Sequence, residues 1–178
     1  MIILIGPSAS GKTEVCKYLV LNMGYTKLVT YTTREKRIAE KEGIDYNFIS
    51  KEEFINRMNK NEFFEYVIYN SNYYGTLKKD ITDEKVVILE PSGFMAYKNS
   101  HMKNIISFYL DTRDEIRKER MIKRGDNIIK INERLTGDHL VFNRKNIDGV
   151  SYILNSNDLT VEELAIEIDN LYKNKIEN

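Results

Sequence analysis

Gly6-Pro7-Ser8-Ala9-Ser10-Gly11-Lys12-Thr13 meets the pattern G-x-x-x-x-G-K-[ST] at every position. Ile2-Ile3-Leu4-Ile5 precedes it, a short unbroken apolar run of the kind that forms a strand buried on both faces of a parallel sheet. Behind it Val15, Tyr18, Leu19 and Met23 recur at helical spacing, which predicts a helix over residues 12–23 closed by Gly24. A strand, a glycine-flanked loop and a helix in this order turn free helix N–H groups and the positive end of the helix dipole toward an anion. Lys12 is placed to reach the β- and γ-phosphates, and the Thr13 hydroxyl to ligate Mg²⁺. The loop in its context implies binding of a nucleoside triphosphate. Alone it does not separate kinases from ATPases or GTPases.

The rest of the chain narrows the class. Its 178 residues suit one domain, and 42% hydrophobic residues suffice for a sizeable core. Lys plus Arg and Asp plus Glu each total 27, so the basic excess expected of a nucleic-acid or membrane binder is missing. Cys16 is the single cysteine, which excludes an internal disulfide, and its place in the first predicted helix reads as a small buried apolar residue. His101 and His139 have no metal-ligand spacing. The N-terminal apolar run is too short for a signal peptide or a membrane span, so the expected location is cytoplasmic.

Val86–Leu89 and Ile105–Leu110 repeat the pattern of residues 2–5, and a short strand is expected at 151–154. Further strands are expected at 27–30, 46–49 and 63–69, with Tyr73-Tyr74-Gly75 on another strand or turn. Helical spacing marks 51–60, 113–124, about 130–145 and 160–173. Strands alternating with helices predict an α/β fold with a mostly parallel central sheet. The crowded strand signals of residues 31–84 break that rhythm and read as a small inserted lobe, leaving 1–30 and 85–178 as the core.

Within the lobe, Arg34 and Arg37 stand close together in a polar loop, with Tyr46 after Gly43. Two guanidinium forks and a phenol suit the oxygens of a phosphate monoester, although a solvated basic loop has the same composition. Arg117, Arg120 and Arg124 share one helical stretch before Gly125, and Arg134 lies in the next.

These residues bear a family likeness. Thr32 to Phe48 matches T-T-R-x-x-R-x-x-E-x-x-G-x-D-Y-x-F at every fixed position, followed by Asn61-Glu62-Phe63-Phe64-Glu65 and Asn72-Tyr73-Tyr74-Gly75-Thr76. In this the chain resembles the guanylate kinase family, from Gly6 to about Asn155. The resemblance implies a three-layer P-loop fold with a lobe that binds a nucleoside monophosphate and a mobile lid at about 124–136. It implies transfer of a phosphoryl group from ATP to GMP with Mg²⁺. Gly6, Ser8, Ser10, Gly11, Lys12, Thr13 and Asn155 would hold ATP, and Arg34, Arg37, Tyr46 and Tyr74 the GMP phosphate, with Glu40 also among the substrate-binding residues. Glu65 would accept from the guanine N–H groups, with Thr30 and Thr76 at the base; Arg120, Arg124 and Arg134 would close over the transferring group. A carboxylate accepts from two adjacent donors, which guanine offers and adenine does not. Two departures stand out. Ala9 replaces a glycine common in the family's loop, and Glu90-Pro91-Ser92-Gly93 stands where the family carries an aspartate-rich segment. The resemblance would still count Glu90 and Ser92 among the substrate-binding residues, Glu90 with a carboxylate able to reach the metal shell, and Ser92 either in place of a base-contacting aspartate or beside a gap in the match. Alternatives are a kinase of the same fold with another small phosphorylated acceptor, or a binding module without catalysis.

Overall fold

The computed structural model describes residues 1–38, 40–69, 71–99 and 104–177; His101 lies outside the described residues. Five parallel strands form the central sheet: β1 (Ile2–Ile5), β2 (Thr26–Lys27), β7 (Lys85–Ile88), β8 (Ile106–Asp111) and β9 (Tyr152–Asn155), in the order β2-β7-β1-β8-β9. Side chains alternate across a strand, and here both faces are covered, which explains the unbroken apolar runs. Ile2 and Leu4 pack with Val15 and Leu19 of α1 (Lys12–Asn22) and with Leu164 and Ile168 of α6 (Val161–Ile176). Ile3 and Ile5 pack on the other face with Val87, Tyr109 and the α3 (Pro91–Lys98) residues Phe94 and Tyr97. The result is three layers with β1 at the centre, fully buried.

From β1 the chain first builds β2 and β7 on one side, then β8 and β9 on the other. The loop after β1 therefore lies at the switch point of the sheet, where open α/β sheets bind their ligands.

A second sheet has the order β4-β3-β6-β5, from β3 (Tyr31–Thr32), β4 (Asn47–Phe48), β5 (Phe63–Tyr69) and β6 (Asn72–Leu77). It has its own core, where Phe54 of α2 (Lys51–Asn59) stacks on Phe63 at 4.1 Å. The strand expected at 27–30 is instead split. Thr26–Lys27 pairs with β7, whereas the Thr30 carbonyl already accepts from Asn47 in the second sheet. The chain crosses between sheets there, so no single ladder can span it.

Helix α3 was not expected from sequence, because Pro91-Ser92-Gly93 has the composition of a turn. Pro91 sits at the start of the helix, where its missing N–H costs nothing. The helix expected at about 130–145 is α5 (Ile128–Val141), begun early because the Asn127 side chain caps it by accepting from Ile129 N at 2.9 Å. It follows α4 (Asp114–Lys123) through a tight turn at Gly125, whose φ of 83° suits glycine. Among the described residues, no helix is long and apolar enough to cross a membrane.

Candidate functional site

The loop after β1 is built by close approach. A Cβ on Gly6 would meet Ser10 Oγ at 2.8 Å and the Leu110 carbonyl at 2.9 Å, so only glycine fits there. Each carbonyl from Gly6 to Ser10 is then held by a side chain. Lys12 Nζ donates to Gly6 O, and to Pro7 O at 2.8 Å. Arg117 Nε donates to Ser8 O at 2.8 Å, and Arg120 Nη1 to Ala9 O at 3.2 Å. Ser156 and Thr112 hydroxyls reach Ser10 O at 3.4 and 3.5 Å. With its carbonyls engaged, the loop can turn amide N–H groups toward an anion at the start of α1.

Next to it lies a cavity of about 280 Å³ lined by Ala9, Ser10, Gly11, Lys12, Thr13, Glu14, Arg120 and Arg124. The structure thus brings Lys12 and Thr13 together with Arg120 and Arg124. Desolvation by burial, aided by the charge of Arg117, lowers the Lys12 ammonium to about 8, while Asp138 and Glu90 act in the opposite direction. Arg124 and Arg134 both pair with Asp126, Arg134 at 2.9 Å. Arg120 also donates to Ser156 O at 3.1 Å and borders a cavity of about 150 Å³ shared by Gly11, Ser156, Leu159 and Leu164. Asn155 is not part of that lining. Its Oδ1 accepts from Asn157 N at 2.9 Å, and Ser156 is the neighbour that faces the loop.

The second sheet carries the other cluster. Arg34 Nη2 pairs with Glu40 Oε1 at 2.6 Å, and its guanidinium lies 5.6 Å from the Tyr46 ring. Tyr46 and Tyr74 meet edge to face at 6.0 Å. Glu40 also accepts from the Arg37 amide at 2.9 Å, so Arg37 joins the cluster through its backbone while its side chain is exposed. These bonds hold the Glu40 carboxyl below its usual range, chiefly through Arg34.

Further along this sheet the register shifts between Phe63, opposite Leu77, and Glu65, opposite Thr76. A strand irregularity of this kind re-aims side chains. Phe64 packs 4.5 Å from the Tyr97 ring, while Glu65 Oε1 accepts from the Thr76 hydroxyl at 2.8 Å. Burial raises the Glu65 carboxyl, opposed by the hydroxyl and N–H of Thr76. Tyr97 is buried beside this pair, and burial pushes its phenol up, with Thr76 lowering it and Glu65 raising it. Thr30 lies near β3 with its carbonyl on Asn47, and Glu90 and Ser92 are exposed at the start of α3. Motif reading passed over Tyr97, Ser156 and Asp138. Only the helical neighbourhood of Arg120 pointed toward Arg117.

A parallel sheet with a phosphate loop at its switch point, flanked by helix-borne arginines and by a lobe with an Arg–Tyr cluster and a half-buried carboxylate, defines a P-loop nucleotide-binding protein. The Guanylate kinase family model matches residues 1–165. A guanylate kinase of Clostridium tetani is 40% identical over 131 residues, 70% of this chain and 63% of that relative. A guanylate kinase of Fusobacterium nucleatum is 34% identical over 140 residues, 75% of this chain and 76% of the relative. A solved guanylate kinase from Anaplasma phagocytophilum shares the fold, with a TM-score of 0.69 and 21% identity, covering all of this chain and 86% of that one. This chain belongs to the guanylate kinase family. The stretch matched to the Clostridium tetani relative is less than two thirds of that relative's length.

Proposed function

We propose that this chain transfers the γ-phosphoryl group of ATP to GMP, giving ADP and GDP. The choice of acceptor rests on one observation, the half-buried Glu65 carboxylate held by Thr76 on the sheet that also carries Arg34, Tyr46 and Tyr74. Guanine N1–H and N2–H₂ are two adjacent donors, and a carboxylate is acceptor-only. The Arg34–Tyr46–Tyr74 cluster takes the GMP phosphate, with Glu40 giving up part of its hold on Arg34. Arg37, exposed beside it, turns in as a second fork.

Phosphoryl transfer needs alignment and charge neutralisation more than covalent help. The acceptor phosphate, with a second pKa of about 6, already carries its attacking charge at neutral pH, so no general base is called for. Lys12 and the loop amides take the triphosphate, and Arg120, Arg124 and Arg134 neutralise the transferring group as the α4–α5 lid closes. For Arg124 and Arg134 this exchanges Asp126 for phosphate. Thr13 offers an exposed hydroxyl at the start of α1, and Glu90 a carboxylate whose charge is felt at Lys12; such hard oxygens suit Mg²⁺. Held by these residues, Mg²⁺ would supply positive charge against that of the phosphate oxygens.

An ADP-release assay with ATP and Mg²⁺, run separately with GMP, AMP, UMP and CMP, tests the reading. Turnover with GMP alone is expected. Turnover with a different monophosphate, or with none despite ATP binding, would remove GMP as the acceptor.

The lowered Lys12 gives a pH signature. Phosphate charges favour its protonated form, so ATP binding raises its pKa from about 8 in the free protein. Below that value affinity is independent of this group. Above it the lysine must first take up a proton, and the ATP Kd rises by up to about tenfold per pH unit. Calorimetric titrations from pH ~6.5 to ~9.5 check this window around the lowered pKa. A flat Kd across it would contradict the assignment.

A further inference from the structure

Two charged side chains grip the Ser8 peptide from outside the cradle. Arg117 Nε donates to Ser8 O at 2.8 Å, and Ser8 N donates to Asp138 Oδ2 at 2.8 Å. Arg117 then closes the ring by pairing with Asp138, and pairs on its other side with Asp114 at 2.8 Å. Arg117 is 2% exposed, so its charge survives only because it is matched on every side. Neither side chain lines the cavity at Lys12. Both border a separate one of about 320 Å³, with Pro7, Tyr109 and Thr112, on another side of the loop.

The residue after the gripped peptide explains the need. Ala9 has a φ of 60°, the left-handed region where a Cβ crowds the backbone. In a free loop this conformation is disfavoured for alanine and open to glycine. Here the preceding residue, Ser8, is fixed through both of its peptide groups, its N–H by Asp138 and its C=O by Arg117, and the Ala9 carbonyl is taken by Arg120.

We infer that Arg117 and Asp138 are positioning residues that hold the Ser8–Ala9 backbone in its phosphate-binding shape, and that the pair does for alanine what glycine's freedom does in a loop without such a grip. The inference rests on the reading of this loop as an ATP cradle and not on the identity of the acceptor. Asp138 belongs to α5, which also carries Arg134, so the grip ties the cradle to the lid helix.

ATP titration by calorimetry, with melting temperatures recorded in parallel, tests it on the full chain. Asp138→Asn keeps an oxygen acceptor for Ser8 N–H and is expected to hold the ATP Kd within about threefold of wild type. Arg117→Leu with Asp138→Ala removes both charges, so no buried ion is stranded and the fold is expected to keep its melting temperature. Its ATP Kd is nevertheless expected to rise about tenfold, roughly 1.4 kcal/mol. Adding Ala9→Gly to that double variant should return the Kd to within about threefold, because glycine adopts the conformation unaided. Wild-type ATP affinity in the double variant, or no rescue by Ala9→Gly, overturns the proposal. If the double variant fails to fold, Asp138→Ala decides in its place: an ATP Kd that rises severalfold in a folded protein and is restored by Ala9→Gly upholds the proposal, and wild-type affinity overturns it. Absence of GMP turnover in wild type would sink the acceptor assignment and leave these titrations fully interpretable.

Discussion

Replacing Lys12 with methionine lowers kcat with ATP and GMP by roughly 10³-fold and leaves the fold as stable as before. The activity loss follows from position. Lys12 is the cation at the first turn of α1 and lines the cavity with Arg120 and Arg124. In the proposed reaction it would supply charge to the phosphate oxygens where negative charge redistributes during transfer, and removing one such preorganised donor costs about 10²–10³ even when the donor is neutral. The stability argument has two opposing parts. Burial depresses Lys12 from 10.5 to about 8. A shift of that size makes the charged lysine unfavourable by on the order of 3 kcal/mol in the folded state. Its folded pKa lies below the unfolded one, so the penalty is complete below pH 8 and fades as pH rises toward 10.5. Methionine removes that penalty but strands the Gly6 carbonyl, which costs about 1–3 kcal/mol. The terms nearly cancel at pH 7, so the melting temperature should stay within about 4 °C for a chain of this size. Single-turnover kinetics and thermal unfolding on one preparation read both numbers. Activity above a tenth of wild type would remove Lys12 from the reaction. A collapse in melting temperature would show that it braces the loop and would leave its chemical role without support.

How much of this was legible in the sequence follows from how far each interaction reaches along the chain. Residues 2–5, 86–89 and 105–110 announce buried parallel strands because both of their faces are covered, a property written in consecutive side chains. The cradle is equally local, since Gly6 must be small and Lys12 must follow Gly11. Helix α3 was hidden because proline and glycine mean a turn in most contexts and mean a helix start only when the preceding strand aims them there. The crossing between sheets at residues 28–30 was hidden for the same reason, as partner strands and not local propensity decide which ladder each residue joins. Asn155 was read from the motif, whereas its neighbour Ser156, which no motif marked, is the residue whose hydroxyl reaches the loop at Ser10 O. The Arg117–Asp138 pair spans 21 residues and two helices, with no motif to join its halves. Tyr97 likewise meets Glu65 and Thr76 only after the central and second sheets have formed. Where chemistry depends on one contiguous segment the sequence is readable; where it depends on two elements meeting, it takes the fold to see it.

Glu65→Gln tests the most specific claim, because it changes the donor pattern at the base while keeping the shape. Glu65 Oε1 accepts from the Thr76 hydroxyl at 2.8 Å, and a glutamine can keep that bond through its amide oxygen. Its NH₂ then faces the base, opposing a donor to the donors of guanine. Two charge-assisted hydrogen bonds are lost, each about 1.5–3 kcal/mol, and kcat/KM for GMP is expected to fall roughly 10³-fold. Adenine presents an acceptor beside a donor, which a glutamine amide matches, so kcat/KM for AMP should rise severalfold. The ratio of the two monophosphates then moves by more than about 10³, while the KM for ATP stays within about twofold because the cradle is on the other sheet. Steady-state kinetics with both acceptors, at saturating ATP, give the ratio directly. Unchanged GMP kinetics would place the base reader elsewhere. Equal losses for GMP and AMP would make Glu65 a prop for Thr76 and Tyr97, since a carboxylate that only supports the lobe cannot tell one purine from the other.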